Sequence, residues 1–134
     1  MTKVETITRP HMKALLEPYG LSEAVRHGDT LTLGGQTGLN AQHQIVEGGL
    51  KAQAVQAFRN IKDVIAFAGG DVANIVHLTW YLAPSARGFM EDAIDVTMAR
   101  NEVLPGIAPG STAVRVNALL TPDILIEIQA VVAL

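Results

Sequence analysis

Apolar residues recur along this chain with two different periods. From Leu50 to Ala68, the positions Leu50, Ala54, Ala57, Phe58, Ile61, Val64, Ile65 and Ala68 fall at helical spacing. They predict an amphipathic helix with one stripe turned to a core. Gly69-Gly70 stops it. A second helix is predicted near 88–103, with Phe89, Ala93, Val96 and Val103 on one face, ended by Pro105, Gly106, Pro109 and Gly110. Between them "NIVHLTWYL" (74–82) is rich in β-branched and aromatic residues and reads as a strand. "VETITR" (4–9) alternates like an edge strand, and "DTLTLGGQTG" (29–38) reads as a short strand running into a glycine-rich bend. "STAVRV" (111–116) and "DILIEIQAVVA" (123–133) are expected to be two strands of a hairpin, joined by a short turn near Pro122.

Strands, helix, strand, helix and two strands together predict an α+β fold with two helices on one face of a single sheet. The central strand is apolar on both sides, with Val76, Leu78, Trp80 and Leu82 on one and Ile75 and Tyr81 on the other. Helices cover one face only. Another copy of the chain is the simplest cover for the second, which predicts a closed homo-oligomer.

Composition agrees. Apolar residues make up 49% and charged residues 17%, leaving few charges to coat an independent surface. No linker, low-complexity tract or charge block divides the chain, so residues 1–134 are expected to form one domain. A net charge of −3 gives no electrostatic basis for a nucleic-acid partner. With no cysteine, disulfides and thiolate chemistry are excluded. "MTKVETITRP" has no apolar leader core, and no run is long enough to span a membrane. The expected location is cytoplasmic, with no membrane partner.

The candidate chemistry is sparse. His11, His27, His43 and His77 make no metal-ligand spacing, so no metal is expected, and His77 reads as a packed strand residue. "GGQTG" lacks the spacing of a nucleotide loop. It is either a strand end where only glycine fits or exposed backbone N–H groups able to hold an oxygen. Ser111 and Thr112 in "PGST" offer hydroxyls at a strand start. Glu127 is the anomaly: a carboxylate inside the apolar run "ILIEIQAVVA" (124–133). Left alone there it would cost several kcal/mol. Either a hairpin places Arg115 across from it as an ion pair, or it serves a function.

Taken together, "PYG" (18–20), "GDTLTLGGQTGL", "AQAVQAFRNIKDVIAFAGG", "DVANIVHLTWYL" and "PGSTAVRVNALLTPDILIEIQAVVA" resemble, in order, the RidA/YjgF family, also called endoribonuclease L-PSP-like. The resemblance implies a chorismate-mutase-like fold and a homotrimer with small-molecule clefts between subunits. It implies cofactor-free hydrolysis of enamines or imines to a carbonyl compound and ammonia. It assigns catalysis to Glu127 in "IEI", and cleft roles to Tyr19, Gly35 in "GGQ" and Asp95. Gly34 stands where the family usually has serine, and Ser111 where deaminating members carry the arginine that clamps a substrate carboxylate. The expectation is therefore a RidA-like hydrolase with an altered substrate held by Ser111 and Thr112, or a metabolite-binding protein that keeps the cleft without turnover. The ribonuclease activity in the family's name is disfavoured by the acidic balance.

Overall fold

The computed structural model describes residues 3–134. In chain order its elements are β1 (Val4–Ile7), α1 (Pro10–Leu16), β2 (Ala24–His27), β3 (Thr30–Leu33), α2 (Gly49–Phe67), β4 (Ile75–Leu82), α3 (Phe89–Val103), β5 (Gly110–Arg115) and β6 (Ile126–Ala133). Short 3₁₀ turns occupy Glu17–Tyr19 and Val72–Asn74. The strands form one mixed sheet in the order β1-β2-β3-β6-β4-β5, with β4 and β5 parallel. The α+β class with α2 and α3 on one face is as the hydrophobic pattern predicts.

The two helices pack side by side and cover the sheet. Ala54, Ala57, Phe58, Ile61, Val64 and Ile65 of α2 are buried, joined in one core by Val96 and Ala99 of α3. Leu31, Leu33, Leu78, Leu82, Ile126, Ile128 and Val132 supply the sheet side. Near-complete burial of side chains of this size is worth roughly 1.5–3 kcal/mol each before entropy is counted.

Three expectations need correction. β5 and β6 are not a hairpin, because β4 lies between them and pairs with both. The physical reason is α3: a helix between two strands favours a parallel crossover, so β5 docks beside β4 and residues 116–125 carry the chain back to β6. Arg115 therefore cannot meet Glu127. It lies opposite Leu82 on the helix side, where it bonds the Ala83 carbonyl at 2.9 Å and Asp92 at 3.1 Å. Second, a bulge between Ile75 and His77 breaks the alternation of β4. Ile75 joins the buried side with Leu78, Trp80 and Leu82, while Val76 is exposed. Third, α1 and β2 arise where the pattern predicted nothing. β2 has four residues, too few for a readable alternation, and turns into β3 through Gly28-Asp29 with Gly28 at φ 58°.

Two deeply buried carboxylates are paired. Glu23 takes a bidentate grip from Arg9, with Nε and Nη2 both at 2.8 Å, and Asp92 is met by Arg115 and Arg87. Two carboxamides on α2 do a different job. Gln53 donates to the Asp123 carbonyl and accepts from the Leu125 N–H, both at 2.8 Å. Asn60 donates to the carbonyls of Thr37 at 3.0 Å and Leu39 at 2.8 Å. One helix face thus satisfies the backbone of the loop after β3 and of the loop before β6. Replacing Asn60 by alanine should cost about 2–3 kcal/mol, since two loop carbonyls lose their donor. Urea denaturation beside the exposed control Gln42→Ala checks this, and equal effects from the two would sink the assignment.

Candidate active site

β6 alternates strictly: Ile126, Ile128, Ala130 and Val132 are buried, and Glu127, Gln129 and Val131 face away from the helices, half-buried. On that open face Glu127 lies opposite Tyr81 of β4, and Gln129 lies opposite Thr79. On the other flank β3 has ended, but its chain continues alongside. Gly34 N–H donates to the Glu23 carbonyl at 2.9 Å, and Gln36 exchanges both backbone bonds with Ile128 at 2.7 and 2.9 Å. Gly35 is carried past Glu127 between these two anchors. A Cβ on Gly35 would stand 2.6 Å from the Glu127 Cδ and 2.7 Å from its Cγ and Oε1. The second glycine of "GGQ" is thus required by the carboxylate seated against it. Gly34 is tight for another reason, since its Cβ would come 3.3 Å from the Ser22 carbonyl oxygen.

No ion pair or hydrogen bond among the described residues engages the Glu127 carboxyl. Burial without a compensating charge pushes its pKa above the ordinary carboxylate range. A carboxyl poised in this way can give and take protons nearer neutrality than a solvated one.

The other expected site residues are spread out. Tyr19 ends the first 3₁₀ turn and is 77% exposed. Asp95 lies on α3, in the helical layer, bonded to Arg87 at 2.6 Å. Ser111 and Thr112 take opposite faces of the sheet. Thr112 faces the open side, with Oγ1 3.4 Å from His77 Nε2, whereas Ser111 lies opposite buried Leu78 and so faces the helix side of the edge strand. Two strand spacings and three residues of rise put the Cα atoms of Ser111 and Glu127 roughly 14 Å apart. Within one chain, Glu127 and Gly35 are the expected site residues brought into contact.

Sequence reasoning missed Tyr81 and Gln129 as neighbours of Glu127. The Tyr81 hydroxyl donates to Gln129 Oε1 at 3.0 Å. The signal was available, because Glu127 and Gln129 are two apart in a strand and must share a face. Two surface cavities lie elsewhere. One of about 450 Å³ runs between Lys51, Val55, Arg59 and Glu102, and one of about 400 Å³ between Glu5, Arg26 and Phe67. Neither contains Glu127 or an expected binding residue. No helix among the described residues is long and apolar enough to cross a membrane.

The mixed sheet with helices on one face, and Glu127 on the other, has the fold of solved Rid-type proteins. The protein-family model described as Endoribonuclease L-PSP matches residues 12–134. The chain belongs to that family, the RidA/YjgF family. It is 31% identical over 128 residues to the 2-iminobutanoate/2-iminopropanoate deaminase of Mus musculus, covering 95% of this chain and 89% of the mouse protein. The crystal structure of RidA from the Antarctic bacterium Psychrobacter sp. PAMC 21119 is 30% identical, with a TM-score of 0.74 over 85% of this chain and 88% of that one. A member of the conserved Rid family from Yersinia pestis shares the fold at 22% identity, with a TM-score of 0.84 over 98% and 100% of the two chains.

The contact between Gly35 and Glu127 can be weighed by a double-mutant cycle. Gly35→Ala should lower stability by about 1–3 kcal/mol, the usual cost of forcing a methyl into filled space. In a Glu127→Ala background most of that cost should vanish. Equal losses in the two backgrounds would show that the carboxyl does not impose the glycine.

Proposed function

We propose that this protein hydrolyses an enamine or imine to a carbonyl compound and ammonia, with Glu127 as the acid and base. The observation that carries the reading is a half-buried carboxyl, unpaired among the described residues, pressed against a glycine backbone. The name of the mouse relative supports the reaction class. The protonated carboxyl donates to the enamine carbon, giving an iminium ion. Its carboxylate then takes a proton from water as the oxygen adds to the electrophilic carbon. The regained proton passes to nitrogen, the C–N bond breaks, ammonia leaves, and the hydroxyl proton of the new carbonyl returns to Glu127. Atoms and protons balance without a cofactor.

In this reading the cleft forms between copies of the chain in a homotrimer. A second copy supplies the wall that one chain lacks, together with Tyr19, Asp95, Ser111 or Thr112 from a neighbouring edge. Gly34 and Gly35 give the close backbone approach. Ser111 stands where deaminating relatives are expected to carry arginine, which points to a substrate other than a simple α-imino acid.

The test is ammonia release from imines generated in situ. Glu127→Gln should lower kcat by about 10²-fold or more. Because burial raises the Glu127 pKa, the proton-donating form persists to higher pH than for a solvated carboxyl and is lost as pH rises through the raised value. The kcat/KM profile for an enamine should therefore fall along a limb displaced above the ordinary carboxylate range, and Glu127→Gln should lack that limb. No turnover by wild type, with a tightly bound and unchanged ligand, would replace the hydrolase with a metabolite-binding protein.

A further inference from the structure

The polar side chains beside Glu127 carry information about charge. Along the open face, the described strands present Val4, Thr6, Val25, His27, Thr30 and Thr32 on one side of β6. On its other side they present His77, Thr79, Tyr81, Thr112 and Val114. None of these is lysine or arginine. Arg26 and Arg115, the strand arginines, lie opposite Leu31 and Leu82, both on the buried side. His77 sits in the stripe with its ring nitrogens 3.4 Å from the hydroxyls of Thr79 and Thr112. A substrate carboxylate held near Glu127 would face another carboxyl and no fixed cation from this chain's sheet.

What the face offers is a neutral donor. Tyr81 stands directly across from Glu127 and gives its hydroxyl proton to Gln129 Oε1 at 3.0 Å. With the carboxamide oxygen so engaged, the Gln129 amino group keeps two N–H donors with no partner among the described residues. Gln129 lies two residues from Glu127 on the same side of β6, roughly 7 Å away. That is the reach of a small molecule whose reacting carbon is at Glu127 and whose next group accepts a hydrogen bond.

We propose that Gln129, positioned by Tyr81, selects substrates in which the reacting carbon carries an uncharged carbonyl, such as an amide or lactam, in place of a carboxylate. This rests on the imine-hydrolase reading and names its substrate class. Gln129 is the specificity-determining residue, and Tyr81 is a positioning residue that acts through it.

The test is binding, separate from turnover. Pyruvamide and pyruvate, which differ only in the neutral or anionic group beside the carbonyl, are titrated into the intact protein by calorimetry or ligand-observed NMR. Wild type should bind pyruvamide about tenfold more tightly than pyruvate, a difference of about 1.4 kcal/mol. Gln129→Leu, which removes both amide donors and adds no charge, should abolish that preference, and Tyr81→Phe, the milder change, should reduce it about threefold or more with folding intact. A wild-type preference for pyruvate, binding of neither compound, or a preference unchanged in both variants would overturn the proposal. Loss of ammonia release in Glu127→Gln is read independently, so a failed hydrolase reading and a failed selectivity reading give different results.

Discussion

The site depends on two carboxamides that lie far from it in sequence. Gln53 and Asn60 project from one side of α2 and bond the backbone at 123–125 and 37–39. The first of these loops leads into β6, and the second follows "GGQ". Holding both against one rigid helix fixes the lateral approach of Gly35 to Glu127, where a single added carbon would be 2.6 Å from the carboxyl. A buried amide that meets a donor and an acceptor of one loop is satisfied only in one register. The helix therefore sets the geometry of a carboxyl it does not touch.

The treatment of acidic groups separates structure from chemistry. Glu23 and Asp92 are each 2% exposed, and each has arginine within bonding distance. An unpaired charge at that depth would be prohibitive, and the fold supplies its partners. Glu127 is less deeply buried and has none among the described residues, so desolvation raises its pKa with no cation to offset it. A chain that pairs its other buried carboxylates and leaves this one unpaired keeps it near the point where it can exchange a proton. Arg115, the candidate partner by sequence, is occupied elsewhere: it joins Asp92 to the Ala83 carbonyl and lies over the Phe89 ring at 5.5 Å.

Much of this was legible in the residues. The period of α2, the β-branched run of β4 and the isolated carboxylate of "IEI" all report local burial, which a period of 3.6 or 2 expresses directly. What local pattern could not express was pairing. β5 and β6 look like a hairpin because they are consecutive, but the parallel crossover through α3 outranks sequence proximity. The bulge that moves Val76 outward is invisible because one extra residue leaves composition unchanged. The same is true at the site. Glu127 and Gly35 were readable as single positions, but their contact needed the ladder between Gln36 and Ile128, and the partnership of Tyr81 with Gln129 needed the register of β4 on β6.

The open face also sets what a complete cleft would need. Glu127 and Ser111 lie about 14 Å apart in one chain, on opposite sides of the sheet, so one small molecule cannot touch both. The edge strand that carries Ser111 is, however, unpaired on its outer side among the described residues, and Glu127 faces a surface with no helix over it. Setting the edge of one copy against the open face of another would bring the two together and exclude water from the carboxyl. The Glu127 pKa, already raised by burial, would then rise further, because each added apolar neighbour removes hydration without adding a cation. In such an arrangement assembly and proton transfer would be coupled, because the burial that closed the cleft would also tune its acid.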